Sequence, residues 1–207
     1  LKAVECVDYY LDKMAELGDV RLFLSGKNNF RYEISTIAPY KGNRANKEKP
    51  LQYKNIREYL IEHKGAEVSE EGEADDCLGI NQTENTYIAS IDKDLLQIAG
   101  NHFHLKKFTT SYITEEEAFK NLCIQLLVGD SVDNIPGLKN PSKAHHAKPP
   151  NFSQATAEEY LKDHTVEDIK QLYLDQYGNE GAFREISSLL FIRRKDFTDF
   201  ETFYQHY

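Results

Sequence analysis

Apolar residues recur at helical spacing from Val4 to Leu17, and Gly18-Asp19 then supplies a stop and a turn. Val20-Arg-Leu-Phe-Leu24 follows as a buried run of strand type, closed by Ser25-Gly26. Polar sequence takes over until Tyr53–Glu62, where Ile56, Tyr59, Leu60 and Ile61 predict a helix that stops near Gly65. Asp75–Ile80 predicts a short helix. Thr86–Ile91 is a strand of β-branched and aromatic type that delivers Asp92 at its carboxyl end. A further strand is expected around His102–Phe108. Glu115–Val128 reads as a helix started by Thr114, which forms a capping box with Glu117. Helices are then expected at Ala155–Leu161, from Thr165-Val-Glu-Asp168 to Tyr177-Gly178, and over Phe183–Arg194, the last packing on the sheet.

Strands alternating with helices favour an α/β fold with a mostly parallel central sheet flanked by helices. Ligands of such sheets bind at the carboxyl ends of the strands, where Ser25 and Asp92 fall. At 207 residues, with 40% apolar and 12% aromatic content, the chain can bury one sizeable core. Nowhere does an apolar run reach the roughly 18 residues of a membrane-crossing helix, and no secretory or lipidation signal is evident, so no membrane partner is expected. Cys6, Cys77 and Cys123 are too scattered for a disulfide framework or a zinc site, and read as reduced thiols of a cytoplasmic protein. The chain begins at Leu1 and enters helix-like sequence at once, which suggests that further residues precede it.

Charge changes this picture. A net charge of −9 argues against a polyanionic partner, but its distribution argues the other way. Lys27, Arg31, Lys41, Arg44, Lys47, Lys49, Lys54 and Arg57 face only Glu33 and Glu48 over that stretch, whereas Glu67–Asp76 holds acids and no base. A cationic segment beside an anionic pocket suits a phosphate substrate; a solvated basic loop beside an acidic helix entrance has the same layout.

The acids fall in three clusters: Glu73-Ala74-Asp75-Asp76, Asp92-Lys93-Asp94 and Asp130-Ser131-Val132-Asp133. Glu73 and Asp76, three apart, share a helix face, as do Asp130 and Asp133. Asp92 and Asp94 share one face of an extended strand. Seven carboxylates converging on a cleft would repel one another unless a cation sat between them. Hard divalent ions such as Mg²⁺ take oxygen ligands of this kind. Taken singly, each cluster is more simply an acidic helix start that satisfies the backbone dipole.

The residues around these acids carry a resemblance. Gly72-Glu-Ala-Asp-Asp76, Ser90-Ile-Asp-Lys-Asp-Leu-Leu-Gln97 and Leu127-Val-Gly-Asp-Ser-Val-Asp-Asn-Ile-Pro-Gly137 resemble the signature blocks of the flap endonuclease and 5′-3′ exonuclease family. That family includes the 5′-nuclease domain of bacterial DNA polymerase I and free-standing phage relatives. Asn29-Phe-Arg31 followed by Ala38-Pro-Tyr-Lys-Gly-Asn-Arg44 is similar to the phage branch. The resemblance covers about residues 20–138. It implies a PIN-like 5′-nuclease fold and metal-dependent hydrolysis of phosphodiesters during replication, on DNA with 5′ ends, flaps or nicks, or on RNA–DNA hybrids. It also implies two or more Mg²⁺ or Mn²⁺ ions. Glu73, Asp75, Asp76, Asp92 and Asp94 would surround a first metal region, and Asp130 and Asp133 a second. Lys41 and Arg44 match the family's catalytic basic pair beneath a helical arch. Arg31 would contact phosphate, and Tyr40 would stack on a terminal base or pack under the arch. Lys47, Lys49, Lys54 and Arg57 would line the arch (about residues 40–62), which Pro50 shortens and DNA would order.

The chain departs from the family pattern in two places. The family's first strand ends in an Asp that completes the metal site, and no such strand precedes the helix at Val4. Ser25 stands where relatives commonly have Asp, and a hydroxyl binds a metal more weakly than a carboxylate. A second reading therefore stays open: a non-cleaving, structure-specific DNA-binding module of the same fold. A third, a small-molecule phosphohydrolase using Asp92-Lys93-Asp94, leaves the basic stretch without a role. After Ile135-Pro-Gly137 relatives enter a helix-hairpin-helix whose Gly-x-Gly turn approaches duplex phosphates, often with K⁺. Here those glycines are gone and the loop is longer, so K⁺ loses its usual seat. Lys139, Lys143 and Lys148 remain as point charges for duplex phosphates, and the adjacent His145 and His146 are poorly placed to chelate one metal. The expected division is a nuclease-like core over 1–134 and a modified helix-hairpin-helix with C-terminal helices over 135–207. A monomer without a clamp-binding peptide is expected.

Overall fold

The computed structural model describes residues 2–45, 47–143 and 150–206. Helix α1 (Lys2–Ala15) precedes β1 (Phe23–Leu24), the single-turn α2 (Arg31–Ile34), a 3-10 turn at Gly42–Arg44 and α3 (Tyr53–Lys64). β2 (Glu67–Val68) and α4 (Ala74–Asn81) lead into β3 (Tyr87–Ser90), a 3-10 turn at Lys93–Gln97, β4 (Gly100–His104) and β5 (Thr109–Ile113). α5 (Glu115–Val128), α6 (Gln154–Tyr160), α7 (Val166–Tyr177), α8 (Gly181–Leu190) and α9 (Phe200–Tyr204) complete the fold.

Local chemistry sets most of these boundaries. Thr114 and Glu117 cap α5 reciprocally, and Thr165 with Asp168 does the same for α7. α3 stops at Gly65 in the left-handed conformation (φ 68°) that favours glycine. The α/β class matches the expectation, but the sheet differs from it. Instead of one central sheet there are two small ones: β1 and β2 pair in parallel, and β3 pairs with β4 in parallel while β5 returns antiparallel to β4. β5 escapes the sequence pattern because its residues are nearly all exposed, so no alternation marks it. A cavity of about 360 Å³ lies between residues 20–23 beside β1 and residues 86–89 of β3, with Leu78 and Phe103 also lining it.

The main core is helical. Leu122, Leu126 and Leu127 of α5 are buried with Ile169 and Tyr173 of α7 and Ile186 of α8. α8 packs on α5, α7 and α9 rather than on a sheet as expected. A second small cluster of Ile88, Leu95, Ile98 and Ile192 seals β3 against the 3-10 turn. α1 buries no residue fully; Asp8 ties it to α3 through the Tyr59 hydroxyl (2.8 Å) and Lys64 (2.7 Å). Among the described residues no helix is long and apolar enough to cross a membrane.

Candidate active site

Each acid cluster is placed by a backbone feature. Gly72 has φ +132°, and a Cβ there would meet the Asp76 carboxylate at 2.7 Å, so the turn into α4 requires glycine. Asp76 reaches back to the Glu73 amide (3.0 Å), and Ser25 Oγ accepts the Ala74 amide (3.0 Å). At the carboxyl end of β3, Asp92 Oδ1 accepts the Asp94 amide (2.6 Å) and starts the 3-10 turn. After α5 the chain doubles back: the Asp130 and Ile135 amides each donate to the other's carbonyl (2.9 and 2.7 Å). Gly129 (φ +71°) permits this, because a Cβ would lie 2.5 Å from the Gly137 amide nitrogen. The loop presents Asp130 and Asp133.

These features bring the clusters to one place. The Lys41 ammonium hydrogen-bonds Glu73 and lies 3.5 Å from Asp133, joining the first cluster to the third. Arg44 pairs with Asp133 and also donates to the Val132 carbonyl (3.2 Å). Burial pushes the Asp75 carboxyl up to about 7, reinforced by the charges of Asp92, Glu73 and Asp76. Burial likewise pushes Asp94 up to about 6, with Asp92 and Asp130 adding to it. The second cluster therefore lies within electrostatic reach of the other two. Among the described residues, however, no group of three or more His, Cys, Asp or Glu side chains is arranged to hold a metal ion. Instead, Lys41 pairs with both Glu73 and Asp133, and Asp76 is committed elsewhere.

That commitment corrects two expectations. Asp76 is 2% exposed and both its oxygens are taken, by Arg31 (2.7 and 2.9 Å) and by the Glu73 and Arg193 amides. It braces the site and has no oxygen left for a cation. Arg31 is 3% exposed; besides Asp76 it donates to the Leu189 and Phe191 carbonyls (2.9 and 2.8 Å), so it cannot meet a phosphate. For Tyr40 the structure favours the second of its two expected roles, packing. Tyr40 is 4% exposed, and its hydroxyl donates to Asp133 (2.8 Å), so it packs beneath the site instead of stacking on a base. Its ring meets the edge of Tyr32, which is 54% exposed.

The remaining basic residues are spread more widely. Lys47 is exposed in the coil after the 3-10 turn, and Lys49 lies 4.3 Å from the Tyr53 ring centre. Lys54 pairs weakly with Glu58 (3.6 Å), and Arg57 is half-buried on α3. Lys139 donates to Asn151 (2.7 Å), and Lys143 ends an exposed 3-10 turn. His145, His146 and Lys148 lie outside the described residues. Sequence reasoning missed Asn29, which donates to Glu73 (2.9 Å), and Gln125, which donates to Asp94 (2.9 Å). Neither carries a spacing signal, since an amide partner is recognisable only once the fold brings it to the carboxylate.

Comparison with known proteins bears on the fold and on the resemblance noted from sequence. The chain is 31% identical over 142 residues to a 5′-3′ exonuclease of Buchnera aphidicola subsp. Baizongia pistaciae. The resemblance to the flap endonuclease and 5′-3′ exonuclease family holds. The match takes in 60% of this chain and 46% of that exonuclease, so the chain spans about half the length of the relative. The crystal structure of the T5 D15 protein co-crystallised with metal ions shares the fold, with a TM-score of 0.55 and 17% identity. That similarity covers 89% of this chain and 79% of the other. No family model matches the chain.

Proposed function

We propose that this chain is the core of a divalent-metal-dependent 5′ nuclease that cuts structured DNA or RNA–DNA hybrids near 5′ ends, flaps or nicks. The observation that carries this reading is Lys41, seated between Glu73 and Asp133 beside Arg44, in electrostatic contact with Asp75. Cationic groups against a cluster of carboxylates suit phosphodiester chemistry better than small-molecule binding. The donor set fits hard cations: all its groups are carboxylates, and Asp75 and Asp94 carry charge that their own surroundings leave poorly compensated. Glu73, Asp75, Asp92, Asp94, Asp130 and Asp133 would hold such ions. When bound, these would supply an activated water and charge neutralisation near neutral pH. Lys41 would exchange its carboxylate partners for the scissile phosphate, and Arg44 would meet the charge that develops on its oxygens. Lys47, Lys49, Lys54 and Arg57 would hold flanking phosphates, largely through counterion release.

A second reading, a module that binds branched DNA without cutting it, has its own support. Among the described residues no three acids are arranged to hold a metal ion, and the Ser25 hydroxyl is spent on the start of α4. The deciding experiment is a cleavage assay on 5′-flap, nicked and hybrid substrates, with Mg²⁺ and with chelator. We expect Mg²⁺-dependent cutting that Asp92→Asn abolishes while DNA binding persists. Binding without cutting at any Mg²⁺ concentration would favour the second reading, and unchanged turnover in Asp92→Asn would remove the metal role.

A further inference from the structure

Gln97 is fully buried, and its amide is oriented by the backbone on both sides. Its Oε1 accepts the Ile192 amide (2.9 Å), and its Nε2 donates to the Leu190 carbonyl (3.0 Å) and to Gln125 Oε1 (2.8 Å). A main-chain N–H can only donate and a carbonyl can only accept, so the two ends of the Gln97 amide cannot be exchanged. The consequence passes down the chain. Because Gln125 must accept from Gln97, its own NH₂ faces the other way and donates to Asp94 Oδ1 (2.9 Å). An N–H therefore always faces that carboxylate oxygen, in a carboxylate that lies within electrostatic reach of Asp92 and Asp130.

We infer that Gln125, held by Gln97, is a positioning residue that fixes the Asp94 carboxylate for a divalent cation, with the backbone of residues 190–192 as the anchor. This rests on the reading of Asp94 as a cation-holding group. The same segment braces the first acid cluster: the Leu189 and Phe191 carbonyls accept from Arg31, and the Arg193 amide donates to Asp76. The backbone at the end of α8 and just beyond it (residues 189–193) thus supports two of the three carboxylate clusters, although it contributes no acid to either. Hydrogen-bond partners behind metal-holding carboxylates typically change metal affinity about 10–100-fold when removed.

The test is titration of the intact protein with Mg²⁺ alone, by calorimetry, alongside cleavage of a flap substrate. Gln125→Met keeps the shape and removes both the donor to Asp94 and the acceptor of Gln97, whose bond to the Leu190 carbonyl remains. Since Gln125 is only half-buried and Gln97 keeps its two backbone partners, the variant is expected to fold, with a modestly lower melting temperature than the parent in chelator. Its Mg²⁺ affinity should fall by about tenfold. In an Asp94→Asn background Gln125→Met should cause no further loss, because the group it positions is already gone. Gln97→Met should reproduce the weakening if it folds, and the conclusion stands on the Gln125 variant if it does not. Parental Mg²⁺ affinity in Gln125→Met, or an equal loss with and without Asp94, overturns the inference. Parental affinity in Asp94→Asn itself overturns the metal role of Asp94, and this inference with it.

Discussion

Lys41 combines two unusual properties. Its backbone is left-handed (φ 53°), which costs a non-glycine residue about 1–2 kcal/mol. Its amide nevertheless donates to the Asp133 carbonyl (2.8 Å), which helps hold it there. Strain kept at a residue whose ammonium bridges two acid clusters points to a task for that ammonium. Lys41→Ala should lower the cleavage rate at least tenfold while changing flap affinity little; if affinity alone falls, Lys41 docks substrate and does not act on it. Asp76 behaves differently. Burial alone would raise its carboxyl, but the hydrogen bonds and charge of Arg31, with the Glu73 and Arg193 amides, outweigh this and hold it below its ordinary value. Its stabilising contribution is therefore complete above about pH 4 and is lost as pH falls through the lowered value. Asp76→Asn leaves the buried Arg31 charge without its partner and should cost about 3–5 kcal/mol in urea unfolding. A loss under 1 kcal/mol would show that Arg31 finds its compensation elsewhere. That Lys41 and Arg44 would meet the acid clusters was legible from sequence. Which acid was structural was not, because Arg31 lies 45 positions from Asp76 and nothing local joins them.

The elements that sequence reasoning located well are those closed by local chemistry. α5 and α7 begin at their capping boxes, and α7 stops at Gly178, because each signal lies within four residues of the end it sets. β2 and β5 were missed. β2 has two exposed residues, and β5 shows no alternation, so only pairing with a distant strand defines either. The turn after α5 holds the sharpest constraint of this kind. Gly129→Ala forces a Cβ against the Gly137 backbone and should destabilise the fold by roughly 2–3 kcal/mol, with loss of cleavage. Thr114→Ala, at the other end of the same helix, removes a cap and should cost about 1 kcal/mol with cleavage intact. Equal activity loss in both variants would mean that helix stability, and not the geometry of the Asp130 loop, governs the site.

Across the whole molecule, the carboxylates lie where the large helical core meets the small cluster around Ile88 and Leu95. The class of fold was legible from alternating strands and helices; its division into two small sheets was not, because strand order depends on contacts that no local window contains. DNA affinity should fall steeply between 50 and 200 mM salt, in proportion to the phosphates engaged by the exposed lysines. A flat response would take the stretch around Lys47–Lys54 out of the interface. α1 is lightly secured, with no residue fully buried, and is fastened by the Asp8 contacts and by Tyr9 and Tyr10 against Phe108. Under gentle denaturation the molecule should shed its leading helix first, like a clasp opening before the case. Amide hydrogens of α1 would then exchange far sooner than those of α5, and a protease would nick the chain between residues 16 and 22 while the remainder stays folded.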